Sequence, residues 1–277
     1  MKLQILSDLR QGIIRYYYKY IIIFFVACTI AIQFFLKTNI YIKKYNIADE
    51  TSVIDCFIYM FKGMKEYIPS TSNPFNVPFD FLLFNLILGL LIGYYPHKDL
   101  HGMGLQMMIK SKQRIFWWSS KCIWNMATVI SYYAAIYMGI LIAGMLFKTQ
   151  ITGEIHKELI HRMLGMEIVG YKQFEIIIFV GLLPIISSIA ISMFQMFLSF
   201  LVHPIVSYII IIILYIFSAF YMKWFLPGNF LMFYRNYIVN PNGIHIFPSM
   251  MVNMIIILIS FIVGYFYFRN VDILGKE

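Results

Sequence analysis

Six stretches of this chain run for roughly 17 residues or more with hardly a charged side chain in them. Such stretches constrain a fold tightly. A bilayer offers the backbone no hydrogen-bond partners, and a helix pairs nearly all of its N–H and C=O groups within one segment. The stretches lie near 17–36, 79–95, 122–147, 176–202, 205–222 and 250–268, and each is read as a spanning helix. Charged residues keep to their ends, as with Lys37, Asp80, Lys121 and Glu175. Composition points the same way, since 61% hydrophobic and 13% charged residues leave too little polar surface to cover a water-soluble globule. The expected fold class is an all-α membrane protein with six transmembrane helices, residues 1–277 forming one transmembrane domain.

An even number of spans puts both termini on one side of the membrane. The N-terminal segment, the connection at 96–121, the turn at His203-Pro204 and the C-terminal tail hold 11 basic residues in about 58 positions, against 11 in about 96 for the other loops. That density favours cytoplasmic termini. The first run follows Arg10, Arg15 and Lys19 and lacks a small-residue cleavage site, so it is expected to stay as a span. Cys28 and Cys122 fall in or beside spans and Cys56 in an outer loop, a poor basis for a disulfide framework. The net charge of +9 is what anionic headgroups and topology already require, and no nucleic-acid partner is expected.

Residues 1–16 read as an amphipathic interfacial helix, with Leu3, Leu6, Leu9, Ile13 and Tyr17 on one stripe and Lys2, Gln4, Asp8, Arg10, Gln11 and Arg15 elsewhere. Two outer loops carry further helical stripes. Val53, Ile54, Phe57, Ile58, Phe61 and Met64 are expected to rest on the outer membrane surface, and Ile155, Leu159, Met163 and Met166 accompany the string HKELIH. That string is not HExxH, because His156 and His161 are five apart, about 140° around a helix; a solvated face is expected. The last outer loop, rich in aromatics and turn formers, suits short helices dipping into the surface or ordinary aromatic anchoring. Gly89 and Gly93 form a GxxxG helix-packing pair. Pro184 should bend the fourth span, its freed carbonyl met by hydroxyls or water. Polar candidates inside the spans are Gln33, Asn85, Asn125 and Gln195, none of which titrates near neutrality.

The connection between the second and third spans, HGMGLQMMIKSKQRIFWWSSK, gathers Lys110, Lys112, Arg114 and Lys121 around two tryptophans. Leu105, Met108, Ile109, Ile115 and Phe116 can cover one side of a short helix, and Trp117 and Trp118 sit where indole rings favour the headgroup region. A glycine opening a short helix (Gly102), an apolar run to Ile109, a Ser-plus-basic turn (Ser111, Lys112, Arg114) and a lysine before the next span resemble the coupling segment of ABC transporter type 2 (ABC-2) permeases. The membrane-lying N-terminal helix, the six spans and the loop lengths resemble that family along nearly the whole chain. The resemblance implies a type 2 ABC exporter permease architecture in which 97–121 is the cytoplasmic coupling segment. Gly102, Met103, Gly104, Leu105, Met108, Ile109, Lys112 and Arg114 would then contact the ATPase.

There is no GxxxxGK[ST], so the chain has no P-loop with which to hydrolyse ATP itself. The resemblance implies separate ATP-binding cassette subunits that hold ATP and magnesium, while this chain binds no cofactor, catalyses nothing and has no metal site. It also implies pairing with a second copy or a sister permease in the plasma membrane of a prokaryote. The expected cargo is hydrophobic or amphipathic, such as an antimicrobial peptide or a drug, since Met, Phe and Tyr would line the path. Two other readings stay open at this point. One is a non-transporting membrane anchor or regulatory subunit; the other is a lipid-modifying enzyme using His97, Asp99 and His101.

Overall fold

The computed structural model describes residues 2–47, 51–69, 75–100, 102, 104, 106, 108, 114–168, 170 and 172–270. The helices are α1 Lys2–Gly12, α2 Tyr17–Tyr45, α3 Val53–Met60, α4 Phe79–Gly93, α5 Tyr95–Leu100, α6 Arg114–Leu146, α7 Lys157–Leu164, α8 Gln173–Leu201, α9 Pro204–Phe220 and α10 Ile246–Asn270. Among the described residues there is no strand, only isolated bridges such as Ser52 with Gln150. Among the described residues five helices are long and apolar enough to cross a membrane, which makes the chain a multi-pass membrane protein. The helix at the expected fifth span, α9, has 17 residues, about 26 Å against a hydrocarbon core of about 30 Å.

Side-chain contacts set the directions. Phe35 stacks on Phe147, and Gly139 lies against Ala27 and the backbone of Phe24, so α2 and α6 run the same way, packed closely through small residues. Going down α6, Tyr137 meets Val180, Tyr133 meets Ser188, Asn125 meets Ser192 and Trp117 meets Phe200, so α8 runs against α6. Helix α10 also runs against α6, because Asn253 bonds Ser187 while Phe268 reaches Trp117. The end of α10, the turn at His203, α5 and α1 therefore share one end of the bundle. The described residues of the loops 46–78, 147–172 and 221–245 share the other.

Helix α2 continues to Tyr45 rather than stopping near 36. Lys43 and Lys44 complement the negative end of its dipole, and Asn46 closes it in the left-handed conformation at φ 53°. The outer-loop stripes do not lie on a membrane surface. Val53, Cys56, Ile58 and Met60 of α3, and Ile155, Leu159 and Ile160 in and beside α7, are buried over the bundle. A capping box of Ser52 and Asp55 starts α3, and the buried Asp55 carboxylate also takes the His156 ring at 2.7 Å. His156 thus ties the two loops together, whereas His161 keeps the solvated position expected of both.

Helix α9 is short because Arg235 intercepts its end. The buried guanidinium donates to the carbonyls of Ser218, Ala219 and Tyr221, to the Asn229 side chain and to the Met64 carbonyl. These are the orphan acceptors of a helix C-terminus, satisfied here by a cation. Burial pushes the guanidinium down to about 10, which leaves it charged at neutral pH. Two 3₁₀ turns, Pro227–Leu231 and Phe233–Arg235, fold inward around it, burying Phe230, Leu231, Met232 and Phe233.

The Val180 carbonyl, four residues before Pro184, is met by a hydroxyl from another helix. A π-helical turn at Ile178–Leu182 precedes the proline, and the Tyr137 hydroxyl donates toward the carbonyls of Val180 (3.1 Å) and Gly181 (2.6 Å). The nearby serines are engaged elsewhere: Ser187 with Asn253, Ser188 with Tyr133 and Ser192 with Asn125. Gln195 donates to the Gly89 carbonyl, and a side chain at Gly89 or Gly93 would press on Gln195. Gln33, unlike the other amides, is exposed.

Candidate functional site

The connection after α4 begins with Pro96 at the first turn of α5, a position where its missing N–H costs nothing. Helix α5 delivers Asp99 to the start of α6. There the Asp99 carboxylate accepts from the Trp117 indole N–H at 3.0 Å and meets the Lys121 ammonium at 2.7 Å. Lys121 also pairs with Asp8 of α1, and Asp8 accepts from the hydroxyls of Ser120 and Tyr95. The ammonium lies over the rings of Tyr95 (4.9 Å) and Trp117 (5.3 Å). Lys121 is fully buried. One cation between two carboxylates thus joins α1, α5 and α6.

Sequence spacing placed Lys121 at the edge of a span but gave no sign of this set, whose members are separated by more than 20 residues in every carboxylate–lysine pair. The available signal was two acidic residues and one lysine, all outside the apolar runs or at their edges. The set lies near the start of a 33-residue helix, about 10 Å along its roughly 50 Å length, so it belongs to one end and not to mid-span.

The N-terminal helix is turned accordingly. Gln4 and Asp8 face the bundle, and a side chain at Gly12 would strike the Trp124 ring, so α1 sits hard against α6. Leu3 and Leu6 are 82% and 62% exposed. Gln4 and Asp8 of this helix bind protein, while Leu3 and Leu6 face outward.

Residues 114–121 extend α6 instead of forming part of a separate short helix. Trp117 and Trp118 are buried, not spread in a headgroup layer. Trp117 packs edge-on against Phe200 and beside Phe268, while Trp118 stacks on Phe268 at 5.2 Å and donates to the Phe261 carbonyl. Gly264 makes room for that indole. The tryptophans therefore bind the start of α6 to the ends of α8 and α10.

Of the residues expected to contact an ATPase, Gly102 is exposed and its N–H donates to the Asp99 carbonyl. Gly104 is buried where any side chain would collide with the Asp99 carboxylate and the Trp117 indole. Met108 is buried in the same core as the tryptophans, and Arg114 is half-buried. Met103, Leu105, Ile109 and Lys112 lie outside the described residues, as does His101. The His97 ring stands 5.8 Å from that of His203, and Asp99 is committed to Lys121. Among the described residues no group of three His, Cys, Asp or Glu side chains could hold a metal ion. The arrangement is suited to holding helices together.

Comparison with family models, with curated proteins and with solved structures gives no match for the chain.

Proposed function

We propose that the chain is the permease subunit of an ATP-binding cassette exporter, with 97–121 as the cytoplasmic coupling segment and six crossings that include α9. The observation that carries this reading is the clamped connection between α4 and α6. A push on α5 or on the start of α6 reaches α1 through Asp8 and Lys121, and reaches α8 and α10 through Trp117 and Trp118. Packed elements transmit such displacement because their interiors compress little.

The path for cargo would form between two permease chains. Within one chain Trp124, Tyr132, Tyr133, Ile136 and Met193 fill the space between helices. A second copy or a sister subunit would supply the opposing wall, and hydrophobic or amphipathic cargo suits walls without charge. Separate ATPase subunits would bind ATP and magnesium and act on both coupling segments from the cytoplasm of a prokaryotic cell.

Co-purification tests the proposal. The chain, tagged and extracted in mild detergent, should bring down a P-loop ATPase, and a flexible linker in place of 102–109 should abolish cargo-stimulated hydrolysis while leaving insertion intact. Absence of such a subunit together with transport that persists without ATP would refute it.

A further inference from the structure

A cavity of about 180 Å³ opens where α1 meets α5, lined by Gln11, Arg15, Tyr16, Tyr95, Lys98 and Asp99. We infer that it binds a phosphate-bearing anion, the headgroup of an anionic phospholipid or a free phosphate. The inference rests on the membrane reading and is independent of any ATPase partner.

Charge is the first argument. Arg15 and Lys98 are exposed, come from different elements, and make no ion pair among the described residues. The one carboxylate in the lining, Asp99, is turned onto Lys121 and Trp117. Two more cations stand behind the aromatic walls: Lys19 lies 4.7 Å over the Tyr16 ring and Lys121 lies 4.9 Å over the Tyr95 ring. Four cations therefore surround the cavity against two carboxylates, Asp8 and Asp99, both already paired. The surplus is positive, and Arg15 and Lys98, the two cations that line the cavity, are both exposed.

Place and size agree with that charge. The cavity has several times the ~30 Å³ that one water occupies in the liquid, enough for a phosphate that keeps part of its hydration. Ile14 and Tyr17, which flank the lining residues Arg15 and Tyr16 in the chain, are exposed, as are Leu3 and Leu6 of α1, and such apolar surface is the kind by which an interfacial helix settles at the boundary of headgroups and acyl chains. Arg15 and Lys98 would then stand at phosphate depth, Arg15 able to donate two parallel hydrogen bonds and Lys98 acting as a point charge. An anion bridging them would staple the 3₁₀ turn Ile14–Tyr16, just after α1, to α5, close to where Asp8 and Asp99 meet Lys121.

The test is thermal unfolding of the full chain in neutral detergent, titrated with dioctanoyl-phosphatidylglycerol, dioctanoyl-phosphatidylcholine or inorganic phosphate. Phosphatidylglycerol should raise Tm saturably and phosphatidylcholine should not. The double variant R15Q/K98Q should weaken the apparent affinity about 30-fold and each single variant about 5-fold, from roughly one surface cation's contribution apiece. The singles keep the test readable if the double variant does not accumulate. R15K/K98R should stay within a few-fold of the parent, and the far-end controls R162Q and K223Q should change nothing. Saturation by inorganic phosphate alone would assign the site to free phosphate, still the same chemistry. Equal responses to the two lipids, or a phosphatidylglycerol response unchanged in R15Q and K98Q, would overturn the inference. Loss of a bound protein partner in R15Q/K98Q without any lipid preference would overturn it in favour of a protein dock.

Discussion

At the end that holds the termini, Lys121 is buried between the carboxylates of Asp8 and Asp99. At the opposite end Arg235 is buried among four carbonyls and an amide, with no carboxylate in hydrogen-bond contact among the described residues. Both cations are sealed from solvent, yet they solve different problems. Lys121 pairs full charges that come from three helices, so each partner depends on the others for its solvation. Arg235 answers the partial charges of one helix end and pins the loop that folds back over it. The first arrangement couples elements that could move as a body; the second terminates an element and fixes it. A permease of the proposed kind needs the coupled arrangement where force enters and can use a fixed one where it does not.

The largest expected effect breaks the coupled set. Lys121→Met strands two carboxylates in a buried site, which should cost about 3–5 kcal/mol in reversible unfolding from mixed micelles. The triple variant D8N/K121M/D99N removes all three charges at once and should regain most of that loss. If K121M is as stable as the parent, the set is not an interdependent one. A smaller effect is expected at the other end. Arg235→Met deprives several carbonyls of a donor but also removes a buried charge, for a net cost of about 1–3 kcal/mol. Amide hydrogen exchange should localise this change to the end of α9 and the 227–235 turns, whereas K121M should loosen α1, α5 and the start of α6 together. Identical exchange patterns for the two variants would erase the contrast between the ends.

The apolar runs foretold where most of the long helices lie, because an uncharged run that length has few other stable forms in a bilayer. What they could not foretell was any contact between runs. Asp8 and Lys121 each looked like a residue at the margin of a span, and only the packing of α1 on α6 brings them together. The periodicity of α1 set Leu3 and Leu6 apart from Gln4 and Asp8 but could not say that Gln4 and Asp8 would meet protein. Trp117 and Trp118 carried a sequence signal for the headgroup layer, which the close-fitting pocket made by Phe200, Phe261, Gly264 and Phe268 overrides. Pro184 announced a bend, while its partner Tyr137 lay 47 positions earlier and had no local mark. The short α9 ends at Arg235, one of two basic residues in an aromatic loop, and its role appears only when the loop folds inward.

The most direct test of the account is the side of the membrane on which the Lys121 end faces. In intact cells, a membrane-impermeant maleimide should leave Gln106→Cys, at an exposed position of the proposed coupling segment, unlabelled until the cells are permeabilised, and should label Lys65→Cys at the opposite end at once. Labelling of Gln106→Cys from outside with protection of Lys65→Cys would place the clamped connection on the wrong face for an ATP-driven partner and contradict the proposed function.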